Sequence, residues 1–258
     1  KDEKLYQHCF TKYTYVQGKT SRKEESIRII ELSGLKVVDT NTECWIPPKI
    51  DDLYAQSKQP FVVIHPGASL EYKCWPKEKF IQLINYIDYK YNCPIYVTGT
   101  SSENELLLEI KNSVSERINF MNNIPIFEFW ALLKHSFLVI TNDTGTLHFS
   151  IALKRNVISI FGPTYPDYAI GSEIPQNCVV IRGTTHKCSF KNCDIYTQLT
   201  PKRKQQIFRF CQNSNTVCTD MIPFTIVQYF VDIFFSGDLS PLKYIRNLQG
   251  YNPFRVDI

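Results

Sequence analysis

The stretch Phe137-Leu138-Val139-Ile140-Thr141-Asn142-Asp143-Thr144-Gly145-Thr146-Leu147-His148-Phe149-Ser150-Ile151-Ala152-Leu153 decides how this chain is read. Phe137–Thr141 is a short apolar run of the kind that forms a strand covered on both faces, and Leu147–Leu153 reads as a short apolar helix. A strand that ends in Asp-Thr-Gly and turns straight into a helix leaves unpaired backbone N–H groups at the helix start. Those groups, with the helix dipole behind them, attract phosphate. Gly145 lets the backbone come close to a ligand, and the hydroxyls of Thr144 and Thr146 add donors. Blander readings stand beside this one: Asp143 caps the helix, and His148, one turn in, faces the core. Asp-Thr-Gly also spells the aspartic-protease signature, which needs an all-β setting and a second copy. A helix follows the motif here, so the protease is excluded.

Outward from that stretch the pattern repeats. Apolar strands are expected at Phe61–His65, Pro94–Thr98, Arg117–Met121, Phe137–Thr141, Val157–Phe161 and Val179–Arg182. Helices are expected at Lys77–Tyr91, Glu103–Val114, Ile126–His135 and Leu147–Leu153. This alternation predicts an α/β fold with a doubly wound parallel sheet, Rossmann-like, in which ligands bind at the carboxyl ends of the strands. The loops leaving those ends are Pro66–Pro76, Gly99–Ser102, Asn142–Thr146 and Gly162–Pro166. Upstream, residues 1–50 are basic and polar, with one helical candidate at Arg22–Leu35, and Pro47-Pro48 reads as the end of a linker.

The bulk composition is that of a globular protein: 258 residues, 43% hydrophobic, 21% charged. A net charge of +4 suits anionic small ligands or loose association with an anionic membrane surface and is too weak to indicate nucleic acid. The most apolar stretch, Ile222–Phe235, carries Gln228 and Asp232 and reads as an amphipathic packing helix, so no membrane span is expected. The first residue is Lys1 rather than Met, which raises the expectation of a fragment or a processed product.

Two further loops carry chemistry. After the first strand come His65-Pro66-Gly67-Ala68-Ser69 and then Glu71-Tyr72-Lys73-Cys74-Trp75-Pro76. Pro66 and Gly67 make a tight turn, and Lys73 lies just before a helix. It can reach a diphosphate as a point charge, or it can be an ordinary exposed lysine. After the second strand, Glu103 either binds ribose hydroxyls or closes a capping box with the preceding Ser and Thr residues. Gly18-Lys19-Thr20 resembles the end of a P-loop, but Tyr13 stands where its first glycine belongs. Asn142-Asp143-Thr144 fits a glycosylation sequon without any sign of secretion. No Gly-x-Gly-x-x-Gly fingerprint is present, which argues against a nicotinamide or flavin enzyme.

Nine cysteines are scattered and odd in number, as in a reducing compartment. Cys188, Cys193, Cys211 and Cys218 cluster with C-x4-C-x17-C-x6-C spacing. They are candidates for a metal site, although neither close pair is a tight C-x2-C, and buried or idle thiols are the alternative.

Taken as a set, His65-Pro66-Gly67-Ala68, Lys73-x-Trp75-Pro76, Asn142-Asp143-Thr144-Gly145-x-x-His148 and Phe161-Gly162-Pro163-Thr164-x-Pro166 resemble the ADP-heptose:lipopolysaccharide heptosyltransferases, which have the two-domain GT-B fold. The resemblance covers roughly residues 60–235, and Cys188 to Ile222 is similar to that family's cysteine-bearing tail. It implies that Ser69 and Lys73 contact the donor diphosphate, and that Thr144, Gly145 and Thr146 hold phosphate. It implies further that Asp143 and His148 orient the loop and sugar, Glu103 binds ribose, and the Phe120–Met121 strand end walls the nucleobase. Asn122-Asn123 departs from the glycine expected after the third strand.

By the same resemblance the chain is the carboxyl-terminal, donor-binding half with a partial or missing amino-terminal domain. Residues 1–55 would be a remnant of the acceptor domain plus linker, 56–220 the nucleotide-sugar-binding domain, and 221–258 a terminal helix and tail packing back toward the amino-terminal part. Arg22–Leu35 would be the last helix of the acceptor domain, and the general base would lie in its missing part. The implied activity is inverting transfer of heptose or a related sugar from an ADP-linked donor to lipopolysaccharide, another glycan or lipid-linked acceptor, or protein. The general base takes the acceptor proton while Lys73 and the Asp-Thr-Gly loop neutralise the leaving diphosphate, so no metal cofactor is needed. The expected place is the cytoplasm, at most peripheral at the inner membrane. A non-catalytic nucleotide-sugar-binding module and another GT-B enzyme, such as a nucleotide-sugar epimerase, are the competing functions.

Overall fold

The computed structural model describes residues 21–39, 43–162, 164, 166–171, 174–183, 218–242 and 255–257. Seven parallel strands form one sheet: β1 (Val62–His65), β2 (Ile95–Gly99), β3 (Asn119–Asn122), β4 (Leu138–Asn142), β5 (Val157–Phe161), β6 (Cys178–Arg182) and β7 (Arg255–Asp257). Their order is β3-β2-β1-β4-β5-β6-β7. The chain walks outward in one direction from β1 and in the other from β4, so the direction reverses between these two strands. That boundary is the crevice where doubly wound sheets bind ligands. The expected α/β class and doubly wound parallel sheet are therefore present.

β1, β4 and β5 are buried at every position, as expected of strands covered on both faces. Among the described helices, α1 is Arg22–Leu32, α2 Pro48–Ala55, α3 Lys77–Tyr91, α4 Asn104–Lys111, α5 Ile126–His135, α6 Gly145–Ala152, α7 Pro166–Ile170 and α8 Phe224–Ser236. Helix α3 shows why they form. Pro76 precedes its first turn, and Phe80, Leu83, Ile84 and Ile87 recur at helical spacing and are fully buried. The helix stops at Asn92, which takes the left-handed conformation at φ 49°. Helix α8 likewise starts after Pro223 and stops at Gly237, φ 72°.

The helices pack in two layers, α3 with α4 and α8, and α5 with α2 and α6. Asp51 of α2 accepts from Lys134 Nζ at 2.5 Å and pairs with His135 Nε2 at 2.7 Å, both at the end of α5. Sequence and structure differ at the edges. β4 extends to Asn142 rather than stopping at Thr141, and α6 begins at Gly145 rather than Leu147. The helix expected at Glu103–Val114 is α4, preceded by a 3-10 turn at Ser101–Glu103. The Pro47-Pro48 break starts a helix, because proline suits a helix's first turn as well as a linker's end. Residues 218–222 close over the β1–α3 connection. There Trp75 Nε1 donates to the Ile222 carbonyl at 3.0 Å and Thr219 Oγ1 to the Cys74 carbonyl at 2.8 Å. No helix among the described residues is long and apolar enough to cross a membrane.

Candidate donor site

The β1|β4 boundary carries the Pro66–Pro76 loop on one side and Asn142–Thr146 on the other. Asn142 ties them together. Its side-chain amide donates to the carbonyls of Pro66 at 2.7 Å and Gly67 at 3.2 Å, and its carbonyl accepts from Trp75 N–H at 3.1 Å. Asn142 is fully buried, so these bonds are unshared with solvent and fix both loops to the end of β4.

Lys73 is buried, at 7% exposure, rather than an exposed surface lysine. Its ammonium donates to Asp143 Oδ2 at 2.6 Å, and Asp143 is itself only 8% exposed. The helix cap belongs to Thr144, whose hydroxyl accepts from Thr146 N–H at 3.3 Å and lies 3.1 Å from Thr141 Oγ1. Asp143 is thus not the cap of α6. It is instead the partner of Lys73, two residues before the first residue of that helix.

Gly145 is exposed at the first position of α6, with Thr146 buried behind it. His148 is exposed, which removes the core reading of that residue. Ser69 is exposed on the β1 loop. Met121 is half-buried near the carboxyl end of β3, where the Tyr54 hydroxyl lies 3.9 Å from its sulfur and donates to Glu128 at 3.1 Å. After β3, Asn123 takes φ 53° and its N–H donates to the Gly99 carbonyl at 2.9 Å. Asparagine is the non-glycine residue that best tolerates this region, so it fills the turn where glycine was expected.

Glu103 leans across the β1 loop. Its Oε2 accepts from Thr100 N–H at 2.7 Å and Thr100 Oγ1 at 2.9 Å, so the capping bonds are made. Its Oε1 occupies the space over Gly67, where an added Cβ would lie 1.7 Å away. Capping and ligand binding do not compete, because the cap uses one carboxylate oxygen. Behind Glu103, His65 is buried at the end of β1, with Nδ1 3.1 Å from Thr98 Oγ1 and Nε2 3.9 Å from Glu103 Oε2. Burial pushes the His65 pKa below its ordinary value, and the Glu103 charge offsets only part of that. The Cys74 thiol, half-buried beside Lys73, is pushed up to about 11, chiefly by burial and then by the Glu103 charge. That shift favours the protonated thiol at neutral pH.

The fourth loop joins through Gly162. A Cβ there would stand 3.3 Å from the Tyr72 carbonyl oxygen and 3.2 Å from the Thr219 methyl, so glycine lets the end of β5 lie against the backbone that carries Lys73. Two residues on, the Thr164 hydroxyl is buried without a hydrogen-bond partner among the described residues. All four loops named from the sequence therefore meet: Asn142 joins the first to the third, Glu103 lies on the first, and Gly162 backs onto Tyr72 and Lys73. Sequence reasoning named His65, Asn142 and Thr164 only as members of motifs and gave none of them a role of its own. Cys188, Cys193 and Cys211 lie outside the described residues, and Cys218 is half-buried at the start of a 3-10 turn.

The family model for glycosyltransferase family 9 (heptosyltransferase) matches residues 30–199. Lipopolysaccharide heptosyltransferase 3 of Escherichia coli K12 is 25% identical over 169 residues, covering 62% of this chain and 49% of that protein. Lipopolysaccharide heptosyltransferase 1 of Campylobacter coli is 31% identical over 127 residues, 47% of this chain and 37% of that protein. The chain thus spans half or less of the length of these relatives. Among solved structures, a glycosyl transferase family 9 protein from Veillonella parvula superposes with a TM-score of 0.69 at 16% identity, covering 91% of this chain and 65% of that one. The E. coli heptosyltransferase WaaC with ADP superposes with a TM-score of 0.53 at 18% identity, covering 80% and 62%. At those identities the superpositions show a shared fold, while the match over residues 30–199 settles the family: the chain belongs to glycosyltransferase family 9, the heptosyltransferases.

Proposed function

We propose that this chain binds the donor in a sugar transfer in which heptose or a related sugar passes, with inversion, from an ADP-linked donor to a lipopolysaccharide or other glycan acceptor. The observation that carries the reading is the buried Lys73–Asp143 pair at the β1|β4 boundary, set beneath the first turn of α6. An ammonium and a helix start supply positive potential where the leaving diphosphate gathers negative charge. Asp143 holds the ammonium in place before the donor arrives, so little reorganisation is needed at the moment of reaction. Ser69, Thr144, Gly145 and Thr146 offer hydroxyl and backbone donors around the same point. Glu103 Oε1 would accept from the ribose hydroxyls, Met121 would border the base, and His148 would face the sugar.

The choice of ADP is supported by a family relative whose structure was determined with ADP. The acceptor follows the names of the curated relatives, which are lipopolysaccharide heptosyltransferases. A thermal-shift panel of ADP, UDP and GDP, each alone and as a sugar conjugate, tests the reading. Binding to the native state at 100 times Kd stabilises it by about 2.7 kcal/mol. ADP and ADP-heptose should raise the Tm most. A chain whose Tm responds to none of the diphosphates, or responds equally after Lys73→Ala, would sink the assignment.

A further inference from the structure

We propose that His65 is a positioning residue for the donor site: the Glu103 carboxylate selects its Nε2–H tautomer, Thr98 donates to Nδ1 and orients the ring, and that N–H steadies the Glu103 carboxylate for the ribose hydroxyls. The proposal rests on the reading of Glu103 given above. A neutral imidazole carries one N–H, and His65 has two polar neighbours of different character. The Thr98 hydroxyl, 3.1 Å from Nδ1, can donate or accept. The Glu103 carboxylate, 3.9 Å from Nε2, can only accept. If Nδ1 carried the proton, the Nε2 lone pair would face a carboxylate inside the protein. With Nε2–H, Thr98 donates to Nδ1 and the N–H dipole points at Oε2, so both contacts are favourable.

The separation of 3.9 Å is beyond hydrogen-bond reach, so the contact acts as charge–dipole attraction. It is strengthened by burial, His65 being 8% exposed and covered by the Phe129 ring at 6.0 Å. Glu103 Oε2 is then held on two sides, by Thr100 and by His65, and Oε1 stays over Gly67 on the side of the diphosphate loop.

Asparagine and glutamine separate the two ring positions, since the Asn amide nitrogen approximates Nδ1 and the Gln amide nitrogen approximates Nε2. ADP and 2′,3′-dideoxy-ADP are titrated calorimetrically into the wild-type chain and into His65→Gln, His65→Asn, Glu103→Gln and His65→Asn/Glu103→Gln. Glu103→Gln should weaken ADP about tenfold and dideoxy-ADP hardly at all. His65→Asn should reduce the preference for ADP over dideoxy-ADP, His65→Gln should keep it, and the double variant should be no worse than Glu103→Gln. Long-range 1H–15N spectra of the histidine rings, with the His65 signals identified by their loss in His65→Gln, should show Nε2–H at neutral pH. If His65→Asn does not fold, Thr98→Val removes the hydroxyl that donates to Nδ1 and orients the ring, and should likewise reduce the preference for ADP over dideoxy-ADP. Glu103→Gln without effect overturns the ribose reading itself. Glu103→Gln with its effect, but His65→Asn weakening both nucleotides equally or neither, overturns the His65 proposal alone, as does an Nδ1–H tautomer.

Discussion

The Lys73 ammonium lies 2.6 Å from the Asp143 carboxylate, and each side chain is less than a tenth exposed. Two residues far apart in sequence, from loops on either side of the sheet's reversal point, thus share one buried charge pair. Burying the pair is worthwhile only if the geometry serves something beyond stability, since such pairs are often replaceable by apolar residues without loss.

Lys73→Ala should therefore act twice. It strands the Asp143 charge in the interior, which destabilises the fold by about 3–5 kcal/mol. It also removes the charge proposed to meet the diphosphate and should raise the Kd for ADP by about 10- to 100-fold. The double change Lys73→Met/Asp143→Leu should recover most of the stability and none of the binding. Urea denaturation and calorimetry separate these effects. Recovery of ADP affinity in the double variant would show that the pair is structural only.

Asn142 is the second residue whose loss should be felt through the whole site. Asn142→Ala leaves the Trp75 N–H and the Pro66 and Gly67 carbonyls buried and unpaired. The expected loss is about 3 kcal/mol, read as a lower urea midpoint with an unchanged slope. Asn142→Asp should be at least as damaging, because a carboxylate would face two carbonyl oxygens that it cannot donate to. A midpoint for Asn142→Asp above that of Asn142→Ala would contradict the assigned amide orientation.

The fold was largely legible because β1, β4 and β5 are covered on both faces and so appear as uninterrupted apolar runs. Their ends were less legible, since Asn142 pairs with Ile160 in the ladder although its residue type signals a loop. β7, Arg255–Asp257, is too short and polar to show a pattern and exists through its pairing with β6. The site's loops were visible as polar turns after apolar strands, but their mutual contacts were not. A sequence shows that Glu103 and Gly67 are both turn residues. Only packing shows that one is glycine because the other's carboxylate lies on it.

That contact makes a sharp test of how Glu103 is placed. In Gly67→Ala the new methyl would lie 1.7 Å from Glu103 Oε1, so the carboxylate must leave its position. The side chain is flexible, so stability should change by no more than about 1 kcal/mol, the size of a net hydrogen bond. The preference for ADP over its dideoxy analogue should disappear. In a Glu103→Ala background the same glycine change should have no further effect on binding, because nothing remains to be displaced. An additive loss in the double variant would mean that Gly67 contributes independently, through the approach of its backbone to the ligand.

His65 also predicts a pH dependence of stability. Burial pushes its folded pKa below the ordinary value near 6.5, whereas the unfolded chain titrates it normally. As pH falls below about 6.5 the unfolded state binds a proton that the folded state refuses, so stability declines. The slope is at most about 1.4 kcal/mol per pH unit for one group, and it ends once pH passes the lowered folded value. The carboxylates of Asp51, Asp232 and Asp238 are held below their usual range, so their contributions are lost only at lower pH and stay out of this window. Urea midpoints of wild type and His65→Gln measured between pH 7.5 and 5 isolate the effect. The stability of the wild type relative to His65→Gln should fall steadily below pH 6.5. A constant difference across that range would mean that His65 accepts a proton in the folded protein as readily as in the unfolded chain, and its buried, neutral role beside Glu103 would have to be abandoned.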